Sequence, residues 1–391
     1  MDILFVRNLF RPEDFGGNRY PWEVTRRLAR RGHTVRVVTP HPAGPLPGTL
    51  EVTLVNYPVS RRTPFETFFT NALFSRLAVR REIARARPDV IVFSSYDVAF
   101  GHYFLAPPGG RIPTAYIYHS SFYSDAVDRV ATMRWPIRLA HGPLDQFTHY
   151  VEKVAFRSSD VIIAVSPFSR AEIERRLGAE RRPIVLVPTG VDTDLFRPGD
   201  RAASRARLGI RAEARVLLTV GRLSPVKRYD RAIDAVRQLR ADDDRYLLIL
   251  AGTGPAEVDL RKRAATLGDS VRFPGFLDGE ALVDHFRAAD LVLCTSEFEN
   301  WSLSILESLA TGTPVLGTPR GSIPDLVRPV ADDLVTSDTD PGTIATAVRR
   351  HLLAPERLRG LGVRSREHAL RYGWETTALG IEDALGSIAR R

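Results

Sequence analysis

At 391 residues the chain exceeds one ordinary core, so two domains of roughly 190 residues each are expected. A composition of 44% hydrophobic and 26% charged residues is that of a soluble globular enzyme, with no apolar run near the roughly 20 residues a membrane-spanning helix needs. The net charge of +9 is uneven: residues 1–190 hold 26 Lys or Arg against 17 Asp or Glu, and residues 191–391 hold 29 against 29. That bias fits an anionic partner, whether nucleic acid, an acidic membrane surface or an acidic substrate, and it equally fits solvated basic helix faces. A single cysteine, Cys294, excludes an internal disulfide and a cysteine metal cluster, and inside LVLCT it reads as a small buried hydrophobe.

The first stretch, MDILFVRN, has no basic lead and no cleavage site, so it reads as a buried strand of a cytoplasmic protein. ILFV is followed by a helix around Trp22 to Arg31, then TVRVVT, LEVTLVNYP, a helix ending near Arg87, VIVFSS, TAYIYH, a helix to Arg157, DVIIAVS, another helix and PIVLVP. Continuous apolar strands alternating with amphipathic helices predict a parallel sheet covered on both faces. After VPTGVDTDLFRPGD the alternation restarts with RVLLTVG, YLLILAG, VRFPG, LVLCTS and TPVLGT. The expected fold class is therefore α/β, with two doubly wound domains joined through the turn-rich segment 188–200 and a ligand at the carboxyl ends of the strands, in a cleft between them.

The stretch SEFENWSLSILESLATGTPV carries two glutamates, Glu299 and Glu307, astride a strand-to-helix turn. Residues 302–311 predict a helix stopped by Gly312 and Pro314. Leu303, Ile305, Leu306, Leu309 and Ala310 form its apolar arc, with Glu307 expected at the rim beside Leu303. Glu299 precedes the helix, where free N–H groups favour an anion such as phosphate; a carboxylate there suits neutral sugar hydroxyls. In VGRLSPVKRYD, Arg222 and Lys227 follow a strand end, and Lys227 is one of only three lysines. Two cations in that place suit a departing diphosphate, although incidental charges on a solvent loop read the same way. The acidic run at Asp242, Asp243 and Asp244 precedes its strand and reads as a solvated loop, not a metal site.

Together these pieces resemble the retaining glycosyltransferases of family 4, of the GT-B fold, over nearly the whole chain. The resemblance implies an amino-terminal Rossmann-like acceptor domain at 1–190, a donor domain at 191–371, and a helix at 372–391 that packs back on the first. It matches the family's Glu-x7-Glu signature with Glu299 and Glu307, and its diphosphate-binding Gly-Arg and lysine with Arg222 and Lys227. By that likeness Glu299 holds hydroxyls of the donor sugar and Glu307 the nucleotide ribose, while the amides of Asn300, Trp301, Ser302 and Leu303 face sugar and phosphate. Where the family has a glycine-containing tetrad, this chain has those four residues instead. Gly16 and Gly17 match the family's glycine loop, His119 its active-site histidine, and Gly275 with Phe276 the loop that meets the base. Gly32-His33 reads as a helix stop and a structural histidine, and Thr189 stands where the interdomain hinge usually has asparagine.

The implied activity is transfer of a sugar from a nucleoside diphosphate donor to an acceptor hydroxyl with retention, needing no metal or other cofactor. The expected partners are that donor, the acceptor and, through the basic half, an anionic membrane touched peripherally. Two rivals share the pattern. A nucleotide-sugar epimerase would use the same architecture without an acceptor. A basic nucleic-acid-binding protein would use the charge alone, but no aromatic-interleaved module accompanies it. A nicotinamide oxidoreductase lacks its G-x-G-x-x-G fingerprint after the first strand.

Overall fold

A computed structural model describes residues 1–8, 10, 19–40, 51–60, 62–104, 112–119, 141–177 and 182–389. Among the described residues the strands in chain order are β1 (Asp2–Val6), β2 (Thr34–Pro40), β3 (Thr53–Tyr57), β4 (Val90–Phe93), β5 (Thr114–Tyr118), β6 (Val161–Ala164), β7 (Ile184–Leu186), β8 (Arg215–Val220), β9 (Tyr246–Ala251), β10 (Val271–Gly275), β11 (Leu291–Cys294) and β12 (Val315–Gly317). The helices are α1 (Arg19–Arg30), α2 (Pro64–Arg85), α3 (Tyr96–Phe104), α4 (His141–Ser158), α5 (Pro167–Leu177), α6 (Arg201–Arg207), α7 (Tyr229–Arg240), α8 (Glu257–Ala264), α9 (Gly279–Ala288), α10 (Leu303–Ala310), α11 (Ile323–Val327), α12 (Pro341–Leu352), α13 (Pro355–Ala369) and α14 (Trp374–Ala389).

The chain divides into two compact units, Met1–Thr189 with Trp374–Arg391, and Gly190–Gly373. Tyr372 and Gly373 stay with the second unit because the Val191 amide donates to the Tyr372 carbonyl at 2.7 Å and Val191 bridges Gly373. Each unit holds one sheet, ordered β3-β2-β1-β4-β5-β6-β7 in the first and β10-β9-β8-β11-β12 in the second. Every pairing is parallel. The central strands β4, β6, β9 and β11 are buried along their whole length, which is why their sequences are apolar without alternation. In each sheet the order reverses beside the first strand, between β1 and β4 and between β8 and β11. Those two reversals are where a doubly wound sheet opens a crevice at its carboxyl edge.

In the first unit α2 and α3 lie so close that a side chain at Gly101 would meet the Ala72 carbonyl at 2.0 Å. His102 is buried beside that contact, and burial, then Arg76 and Arg80, hold its imidazole down at about 4. The sign follows from linkage. Below pH 6.5 an unfolded chain binds a proton that native His102 refuses until about pH 4, so stability is lost as pH drops from 6.5 towards 4, by about 1.4 kcal/mol per unit. Urea unfolding of the full chain at stepped pH should show this slope, shallower in His102→Gln.

Among the described residues no helix is long and apolar enough to cross a membrane.

Candidate functional site

The second unit's crevice is built from two strand ends. After β8, Gly221 takes φ +146°, and a side chain there would strike the Tyr229 hydroxyl at 2.9 Å. The chain then makes a 3-10 turn, Pro225–Lys227, and enters α7 through Arg228 in the left-handed region at φ 49°. After β11 the chain runs through Thr295 and Ser296 to Glu299. The Lys227 ammonium donates to Glu299 Oε1 at 2.6 Å, and the Ser296 hydroxyl donates to the same oxygen at 2.6 Å. Glu299 is only 8% exposed. Burial pulls the Lys227 ammonium down, but the Glu299 carboxylate and Tyr229 outweigh it and hold the ammonium above its ordinary range. Lys227 is therefore a fixed positive charge beside a near-buried carboxylate.

Backbone contacts keep this pair in register. The Glu297 amide donates to the Val226 carbonyl at 2.7 Å, and the Thr295 hydroxyl to the Lys227 carbonyl at 3.0 Å. Ser322 donates its amide to the Glu299 carbonyl at 2.8 Å, and Gly321 at φ +54° passes so close that a side chain would meet that oxygen at 2.3 Å. The turn after β9 closes on the turn after β8, with Gly252 against the Gly221 carbonyl and Gly254 against the Leu223 carbonyl, and Gly252 also donates to the Gly275 carbonyl at the end of β10 at 2.7 Å. Helix α10 follows Ser302, whose side chain makes no capping bond to the helix's first N–H groups, the end of a helix that favours an anion.

The predicted residues fall as follows. Lys227 and Glu299 are joined. Ser302 and Leu303 form the start of α10, Asn300 is buried, and Trp301 packs edge-on against Tyr372 at 5.4 Å. Arg222 is exposed in the loop after β8, Gly275 ends β10 at φ +81°, and Phe276 next to it is exposed. Glu307, expected at the rim of α10, is 8% exposed, as buried as Glu299, on the stretch of the helix from Ile305 to Ala310 that is buried. Gly16 and Gly17 lie outside the described residues. Cys294 is buried, and burial, then the Glu299 charge, push its thiol up to about 12. The acidic run is tied down by arginines, Asp242 to Arg349 and Asp243 to Arg215 and Arg245. Among the described residues no group of three His, Cys, Asp or Glu is placed to hold a metal ion.

The first unit's crevice has its own polar cluster. Arg7, just past β1, donates to the Ser94 carbonyl at 2.9 Å and to the Ser94 hydroxyl at 2.8 Å, and that hydroxyl lies 2.8 Å from His119 Nε2. The Tyr20 ring stands edge-on to the His119 ring at 4.7 Å. Burial, then the Arg7 charge, hold His119 well below its ordinary range, so its ring is neutral. The Ser94 hydroxyl, with two lone pairs, accepts from the guanidinium and can either donate to Nε2 or accept from it. Beside it the buried carboxylate of Asp97 accepts from Asn8 at 2.9 Å and Asn71 at 3.0 Å, fixing the chain just beyond Arg7. Sequence reading missed Arg7, Ser94, Tyr20, Ser296 and the Gly252, Gly254 and Gly321 turns. The signal for most of them is position: each follows directly on a strand end or lies in the turn beyond it.

Comparison with known proteins gives the family. Residues 16–195 match the family profile described as Glycosyltransferase Family 4, and residues 200–368 match Glycosyl transferases group 1. A D-inositol 3-phosphate glycosyltransferase of Geodermatophilus obscurus is 33% identical over 386 residues, covering 93% of this chain and 83% of its own. D-inositol 3-phosphate glycosyltransferase 2 of Catenulispora acidiphila is 32% identical over 394 residues, covering 95% and 90%. Among solved structures, sucrose-phosphate synthase of Thermosynechococcus elongatus superposes with a TM-score of 0.81 at 24% identity over 98% and 97% of the two chains. Anabaena HepE in complex with UDP does so with 0.77 at 19% identity over 99% and 100%. The structural likenesses establish a shared fold.

Proposed function

The chain belongs to the glycosyltransferases of family 4, with the group 1 glycosyltransferase domain in its second half and the GT-B fold, and from that premise we propose that it moves a sugar from a nucleoside diphosphate donor to an acceptor hydroxyl with the anomeric configuration retained. Its relatives are named transferases, which sets aside the epimerase and nucleic-acid readings. The observation that carries the proposal is the contact between the Lys227 ammonium and the Glu299 carboxylate at the second unit's strand-order reversal. It sets a cation for phosphate beside an acceptor of sugar hydroxyl protons, next to the open amino end of α10.

In this reading the diphosphate lies on Lys227, Arg222 and the first N–H groups of α10, which together offset its charge without a metal ion or other cofactor. Glu299 takes hydrogen bonds from the sugar hydroxyls, Glu307 serves the ribose, and the backbone around Gly275 and Phe276 meets the base. The bond from the anomeric carbon to the diphosphate oxygen breaks as the acceptor oxygen bonds the same face. The acceptor proton passes to the departing phosphate, so no side chain need serve as a base. The protein contributes position and electrostatic stabilisation of the leaving group. His119, with a neutral ring, orients a hydroxyl on the acceptor side.

The structural neighbour HepE holds UDP, and relatives are named for a phosphorylated polyol acceptor. The excess positive charge of residues 1–190 suits an acceptor that is itself anionic. The test is incubation with UDP-, GDP-, ADP- and dTDP-sugars and a phosphorylated polyol in the presence of EDTA. Proton NMR of the product should show the donor's anomeric configuration. An inverted product, or turnover that EDTA abolishes, contradicts the proposal.

A further inference from the structure

Among the described residues Arg228 is the one non-glycine with a positive φ, at φ 49° and ψ 42°. A side chain is strained in that left-handed region, where glycine is not. Its neighbours force the turn. A side chain added at Gly221 would lie 2.9 Å from the Tyr229 hydroxyl and 4.0 Å from the Lys227 ammonium nitrogen, so Lys227 and Tyr229 reach the same place from either side of residue 228. The Arg228 amide donates to the Pro225 carbonyl at 3.2 Å, closing the 3-10 turn, and its carbonyl accepts from the Arg231 amide at 3.0 Å, opening α7. The backbone at 228 is fixed from both directions, and a glycine would meet it without strain.

What an arginine adds there is its side chain. The guanidinium forks onto Asp230, with Nε 3.0 Å from Oδ1 and Nη2 2.9 Å from Oδ2, and its Nη1 stands 3.8 Å from Glu297 Oε2. Glu297 gathers two further arginines: Arg231 donates to Oε2 at 2.8 Å, and Arg320 Nε lies 3.4 Å from Oε1. Arg228 belongs to the loop after β8, Arg231 to the first turn of α7, and Arg320 to the loop after β12. Glu297 itself lies in the loop after β11, and its amide holds the Val226 carbonyl at 2.7 Å. One carboxylate therefore ties together the three loops that surround Lys227 and Glu299, and without it three guanidiniums would repel one another. Exposed ion pairs add little stability, and the Glu297 side chain is 42% exposed, so the fold alone explains a strained arginine poorly.

We propose that Arg228 and Glu297 are positioning residues for sugar transfer, a latch between the loops after β8, β11 and β12 that keeps the Lys227 ammonium aimed at the donor diphosphate. The latch acts through Lys227 and rests on the donor reading of that residue given above. When a diphosphate competes with Glu299 for the ammonium, the turn Pro225–Lys227 stays anchored at the Val226 carbonyl on one side and at Arg228 on the other. The lysine side chain then swings while its backbone stays in place, so the charge arrives preorganised.

The experiment is nitrogen-15 NMR of lysine ammonium groups in the full-length protein, with initial rates and melting temperatures of the same variants. The chain has three lysines, Lys153, Lys227 and Lys262, and Lys227→Met identifies the signal of Lys227. Arg228→Gly and Glu297→Ala should each move or broaden that signal, leave the other two in place, and lower kcat/KM by about tenfold, the scale of a slightly misplaced group. Arg228→Gly should melt no lower than the wild type, because relief of the backbone offsets the lost ion pairs. In a Lys227→Met background, Glu297→Ala should bring no further loss of rate. Variants that keep both the Lys227 signal and the rate, a rate loss in Arg228→Gly matched by a lower melting temperature, or a Glu297→Ala loss that adds to that of Lys227→Met would overturn the proposal. If the wild type transfers no sugar, the donor reading falls instead, and the ammonium signal alone decides whether Arg228 and Glu297 hold Lys227.

Discussion

Lys227→Met is expected to lower kcat/KM for sugar transfer by about a thousandfold, the scale on which a preorganised charge at a leaving group acts. It should also cost about 2 kcal/mol of stability. The second effect follows from the geometry at the site: without the ammonium 2.6 Å away, the 8%-exposed Glu299 carboxylate keeps the Ser296 hydroxyl but loses its counter-charge. The two losses separate in a double variant. Lys227→Met with Glu299→Leu removes both charges, so stability should return to within about 1 kcal/mol of the parent while activity stays lost. Urea unfolding and initial rates measure the two. A double variant no more stable than Lys227→Met would mean that the pair is not a coupled unit, and a Lys227→Met enzyme at full rate would remove the ammonium from the mechanism.

The second large effect belongs to the first unit. His119→Ala should reduce kcat/KM by about a hundredfold, and Ser94→Ala, which takes away the partner of Nε2, by about tenfold. The pH profile distinguishes an orienting role from simple packing. His119 is held well below its ordinary value by burial and by Arg7, so the wild-type rate should show no histidine limb near neutrality. Arg7→Met removes one of those two causes, and the acid limb should move upward, with rate falling as pH drops through it. The same depression costs stability as pH falls below the ordinary histidine value, because only the unfolded chain takes up the proton there. An acid limb that stays where it was in Arg7→Met would show that the guanidinium does not tune the ring.

Much of the architecture is legible in the chain because its strands are buried on both faces. VIVF, VIIA and LVLC are apolar without interruption and each became a central strand. The end of α10 is equally readable, since Gly312 at φ +77° closes it where the Gly-Thr-Pro run stands. The contact between Lys227 and Glu299 could not be read, because 72 residues separate them and only the order β8 to β11 brings their strand ends together. Helical periodicity placed Glu307 at a rim because it counts only the helix's own arc. The burial of Glu307 to 8% exposure is tertiary information that the arc alone does not carry.

The most direct measurement is thermal unfolding with UDP, GDP, ADP and dTDP, each with EDTA, on the wild type and on Lys227→Met. A nucleotide at about 100 times its dissociation constant adds roughly 2.7 kcal/mol, enough to raise the melting temperature visibly. One diphosphate stabilising the wild type in EDTA, and no longer doing so in Lys227→Met, is the result predicted for a metal-free donor site at the Lys227 and Glu299 pair. A shift of equal size in both proteins, or none with any nucleotide, would contradict it.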